Sequence, residues 1–134
     1  MNTYQQKVDA IQAVLGNIKT RVEALGTYNM VSTDYADLGK AGAYPNAVIK
    51  ILEILPDNVR ELGDWMVNIV IVLQSQTTDE LNNLELAKGV LNILENYRLT
   101  TDTQGGEIIS IDSVLENTGT SRTALIEIEY QFSV

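Results

Sequence analysis

The residues best suited to chemistry in this sequence are two glutamates, Glu127 and Glu129, inside the run TALIEIEYQFSV. Two positions apart on an alternating strand, they share one face and stand about 7 Å from each other. Paired carboxylates at that spacing suit acid–base hydrolysis. Alternate glutamates are also what the wet face of an antiparallel strand ordinarily carries. A second acidic pair, Asp34 and Asp37, lies in a Ser, Thr, Asp and Gly-rich stretch. It could touch a cation, but the further acidic ligands of a calcium loop are missing. The chain has no His and no Cys. Imidazole catalysis, thiolate nucleophiles, disulfides and the usual zinc sites are thereby excluded. A serine nucleophile would have neither a histidine base nor an S-x-x-K lysine. Gly105-Gly106 reads as a turn, without the G-x-G-x-x-G of a phosphate loop. The expectation is a protein that is not an enzyme, with no catalytic, cofactor-binding or metal-binding residues.

The elements that hold these residues are ordered around Trp65 to Gln74, WMVNIVIVLQ. Trp65, Val67, Ile69, Ile71 and Leu73 would lie on one face of a strand. Met66, Val70 and Val72 would lie on the other. A strand apolar on both sides belongs in the middle of a sheet with both faces covered. Before it, Ala47 to Leu55 reads as a strand between Pro45 and Pro56, joined to the central one by the polar link Asp57 to Asp64. At the C-terminal end, Glu107 to Leu115 and Thr123 to Val134 read as a second pair. In the last strand Ala124, Ile126, Ile128, Tyr130, Phe132 and Val134 form the dry side, with Leu125 the exception on the wet one.

Two helices complete the plan. From Thr3 to Leu25 apolar residues recur at 8, 11, 15, 18, 22 and 25, a single stripe. Asn2 or Thr3 can cap it, and Gly26 stands where a left-handed residue ends a helix. The second helix starts at a Thr77/Glu80 capping box and runs to about Tyr97, with Leu84, Ala87, Leu91 and Leu94 as its stripe. Thr27 to Tyr44 shows no period and reads as a long loop. The fold class is α+β: one domain, in α-β-β-α-β-β order, with a mixed or antiparallel sheet of about four long strands flanked by two helices.

The chain has 134 residues, the size of one self-sufficient domain. Its 18 acidic and 9 basic side chains give a net charge of -9, and the cations form no cluster. Sequence-independent phosphate binding has no electrostatic basis here. The opening MNTYQQKVDA lacks an apolar core, so no signal peptide is expected, and no run reaches the length of a membrane span. With little for chemistry, surfaces remain. Tyr28, Tyr35 and Tyr44 either pack over the sheet edge or contact another subunit. The Asn58 to Gly63 hairpin, with Asn58, Arg60 and Glu61, is the other candidate subunit contact.

The succession of an N-terminal helix, a long loop into YPNAVIKILEI, a second long strand WMVNIVIVLQ, the helix LELAKGVLNILENY and a final ALIEIEYQFSV resembles the tail terminator and tail completion proteins of long-tailed bacteriophages. The resemblance spans nearly the whole chain and rests on element order. It implies a non-enzymatic virion protein that forms a hexameric ring at the head-proximal end of the tail tube. Such a ring ends tube polymerisation and joins the tail to the head connector. Its partners would be itself, the tail-tube protein and head-connector proteins, with DNA passing through the lumen unbound. The implied location is the neck region of the virion, after assembly in the host cytoplasm, with no membrane and no cofactor. Related head–tail joining proteins share parts of the plan. A non-viral adaptor that binds through a sheet edge is the alternative on the residues alone.

Overall fold

The first helix, α1 (Tyr4–Ala24), begins at Thr3, whose side chain accepts from the Gln6 N–H while the Gln6 side chain accepts from the Thr3 N–H. This is a closed capping box. Gly26, at φ 67°, follows its C-terminus as expected. The coordinates are a computed structural model describing residues 3–38, 44–56, 64–77, 79–97, 104–118 and 121–134. The proposed contact residues Asn58, Arg60 and Glu61 lie outside the described residues.

The strands are β1 (Met30–Ser32), β2 (Asn46–Leu55), β3 (Met66–Ser75), β4 (Gln104–Thr118) and β5 (Ser121–Ser133), with α2 (Glu80–Asn96) between β3 and β4. They form one sheet in the order β1-β2-β3-β5-β4. The apolar run is thus the central strand, as its two dry faces require. All pairings are antiparallel except β1 with β2. The α+β class, the single mixed sheet and the helix-strand-strand-helix-strand-strand order match the sequence reading.

Both helices pack on the same face. Ile11, Val14, Ile18 and Val22 of α1 and Ala87, Val90 and Leu94 of α2 meet Val67, Ile69, Ile71, Ile128, Tyr130 and Phe132 in one core. Each of the Val, Ile, Leu and Phe side chains among them contributes roughly 1.5–3 kcal/mol by leaving water. On the opposite face Val70 and Val72 are buried as well, 7% and 6% exposed, so β3 is covered on both sides as expected, with both helices on the first side. Val70, Val72 and Leu125 form a small cluster there, with Leu38 packed against it among the described residues. A short 3-10 turn, Tyr35–Asp37, brings Leu38 over them.

Other differences have local causes. The 27–44 stretch holds β1, three residues long and too short to show a period. Gly105 and Gly106 are not a turn; they lie in β4, where the register to β5 shifts between Gln104 and Glu107. A Cβ on Gly106 would collide with the Tyr130 ring, so glycine is needed for this close approach. In α1 the buried stripe is turned by about one residue from the predicted one. Val8 is 45% exposed and Lys7 only 2%. The Lys7 ammonium donates to the Val134 carbonyl at 2.8 Å and lies 5.8 Å from the Trp65 ring centre, which lets its stem take a core position. In α2 the N-cap is Asp79, accepting from the Leu81 N–H, instead of Thr77. Leu84 is exposed and Asn83 buried. Ser75 donates to Asn83 Oδ1 at 2.6 Å, and Asn83 donates to the Thr77 carbonyl. These bonds to the end of β3 and the loop after it set the rotation of the helix.

Candidate functional site

On the face opposite the helices, β5 and β4 lay acidic side chains side by side. Residues directly opposite in an antiparallel pair share a face. Asp112 stands opposite Glu127, and Ser110 opposite Glu129. The Ser110 hydroxyl reaches Glu129 Oε2 at 3.3 Å. With Glu116, Lys50, Tyr35, Leu38 and the Val70–Val72–Leu125 cluster, they line an open depression of about 430 Å³. The sequence pair Glu127 and Glu129 therefore sits beside a third carboxylate. Like charges directly opposed cost stability, and Lys50, the cation lining the depression, has its ammonium 4.3 Å from the centre of the Tyr35 ring. Among the described residues, no group of three His, Cys, Asp or Glu side chains is arranged to hold a metal ion.

Asp34 and Asp37 are brought together for a structural purpose. Asp34 accepts from the Ala36 N–H at 2.9 Å, capping the 3-10 turn. The Ser32 hydroxyl donates to Asp37 at 2.6 Å and accepts from the Asp34 N–H. The three tyrosines are dispersed. The Tyr28 hydroxyl donates to the Leu86 carbonyl of α2 at 2.6 Å, and burial pushes its pKa up to about 12. Tyr35 is 59% exposed above Lys50. Tyr44 is half-buried, precedes Pro45 through a cis peptide, and its carbonyl accepts from the Asn29 amide. In the core, Tyr130 has a raised pKa, through burial first and the neighbouring Tyr97 second. Its hydroxyl faces the Gly106 backbone without reaching full hydrogen-bond geometry.

The surface features that sequence reasoning missed are uncovered apolar side chains. Ile51 and Ile54 are exposed on the helix side of the β2–β3 pair, and Leu52, Leu55 and Met66 on the opposite side, where Leu52 also lines the acidic depression. The register shifts between Ile51 and Glu53, adding one residue to β2. Leu81 and Leu84 are exposed on the outer side of α2, above a broad open hollow reaching Leu91. Ile109, Ile111, Val114 and Leu115 are exposed along β4. The signal for the last group was present: EIISIDSVL has apolar residues on both faces, more than one half-wet strand requires.

No protein family and no characterised protein sequence matches the chain. Among solved structures it is similar to the bacteriophage SPP1 gp17 protein, with a TM-score of 0.59 and 18% identity, over 97% of this chain and 91% of that one. The two share a fold. Among the described residues, no helix is long and apolar enough to cross a membrane.

Proposed function

We propose that this chain is a structural virion protein of a bacteriophage, which closes into a ring at the head-proximal end of the tail tube, ends tube growth and joins the tail to the head connector. It acts by fit between surfaces and is not an enzyme. The fold shared with a bacteriophage protein over nearly the whole chain supports the phage assignment.

The observation that carries the ring is the pair of separate apolar surfaces left open on one subunit. One is the β2–β3 end, with Leu52, Leu55 and Met66; the other is the outer side of α2, with Leu81 and Leu84. A head-to-tail ring needs two unlike patches on each copy. The candidate contact Tyr44 precedes β2, Tyr35 lies against Lys50 in the middle of it, and in sequence the Asn58 to Gly63 link joins β2 to β3. The measurement is size-exclusion chromatography with light scattering, alone and with tail-tube protein. A ring-sized species is expected, and Leu52→Glu with Leu55→Lys should abolish it while the circular dichroism spectrum is kept. A strict monomer at every concentration, tube protein included, refutes the ring.

A further inference from the structure

β4 is the last strand of the sheet, and among the described residues nothing pairs with its outer side. An edge of 15 residues offers a row of free N–H and C=O groups. Its two faces differ in chemistry. Towards α2 it shows Ile111 and Leu115, beside a notch of about 170 Å³ between Ile111 and Asn83. On the other face it shows Asp112 and Glu116, next to Glu127 and Glu129 of β5.

We infer that the β4 edge captures an extended segment of a different protein, one that alternates basic and apolar residues. Paired to β4, such a segment adds a sixth strand. Its alternate side chains then fall on opposite faces, cations beside Asp112 and Glu127, apolar groups beside Ile111 and Leu115. Charge decides the occupant. A second copy would bring a net charge of -9 to an acidic face. Its described cationic side chains each lie beside a group of their own chain. Lys7 is on the Val134 carbonyl, Lys19 on Glu23, Arg21 on the Tyr97 ring, Lys50 on Tyr35 and Lys88 on Glu85. A basic partner relieves the Asp112–Glu127 repulsion; a copy adds to it.

The probe is a short labelled peptide alternating lysine and valine, titrated into the full chain and followed by fluorescence anisotropy and by backbone amide shifts. Two controls accompany it: a glutamate–valine peptide, and a lysine–proline peptide that keeps the charges but cannot pair as a strand. Saturable binding of lysine–valine is expected, weakening with salt, with amide shifts centred on β4. The glutamate–valine peptide should not bind, and lysine–proline should bind at least about tenfold more weakly, lacking the strand bonds. Asp112→Asn with Glu127→Gln should weaken lysine–valine binding about fivefold. Removal of opposed like charges should leave the fold intact, and Glu116→Gln is the second variant. Equal binding of lysine–proline, or shifts centred away from β4, overturns the inference. Light scattering on the same samples reads self-association separately, so failure of the ring leaves this proposal standing.

Discussion

Replacing Tyr28 by phenylalanine should exchange a loss of stability at neutral pH for a gain at high pH. The Tyr28 hydroxyl donates to the Leu86 carbonyl and ties the segment after α1 to α2. Losing that bond costs about 1 kcal/mol at pH 7. The folded hydroxyl titrates near 12 against an ordinary 10.0, because it is buried. Below pH 10 the group is neutral in both folded and unfolded chains, and its contribution is whole. Between 10 and about 12 the unfolded chain releases the proton while the folded one holds it. Stability therefore falls as pH rises through that window. Two pH units set a ceiling of about 2.7 kcal/mol. The ring is only partly buried, so screening reduces this to roughly 1–2 kcal/mol. Tyr28→Phe has no such loss, and Tyr130 titrates alike in both proteins. Urea unfolding at pH 7, 9, 10.5 and 11.5 should show the gap close and then turn in favour of phenylalanine. A gap independent of pH refutes the reasoning.

Lys7→Ala should destabilise by about 2–4 kcal/mol in urea unfolding, since it removes a bond from a charged donor and leaves a hole beneath the ring of Trp65. Tryptophan fluorescence should report the changed surroundings of Trp65 before unfolding begins. Gly106→Ala should cost about 1–3 kcal/mol, because Tyr130 is 1% exposed and has nowhere to move. Adding Tyr130→Phe should recover part of that loss in thermal unfolding.

Period carried most of the fold. The β3 run and the clean alternation of β5 were legible because burial on two faces and on one face leave different patterns. The faces of α1 and α2 were harder. A count of apolar spacings places Val8 and Leu84 inward, whereas Lys7 and Asn83 take the core positions through polar partners outside their own helices: the Val134 carbonyl for Lys7, Ser75 and Thr77 for Asn83. Those partners are invisible to a local pattern. The Glu127–Glu129 pair was legible; Asp112 joined it only through the β4–β5 register. The strand β2 was legible but the exposure of Leu52 and Leu55 was not, because they lie on the face away from the helices, on the side of Met66 and the acidic depression.

The extra residue in β2 has an evolutionary corollary. Side chains swap sides with every step along a strand, so inserting or losing one residue beyond that point would turn the hairpin's leucines inside out. Loss or gain in twos would lengthen or shorten the arm while preserving which way each residue looks. Relatives of this chain should therefore differ in hairpin length by even numbers, and an odd difference should come with a bulge removed or a new one added.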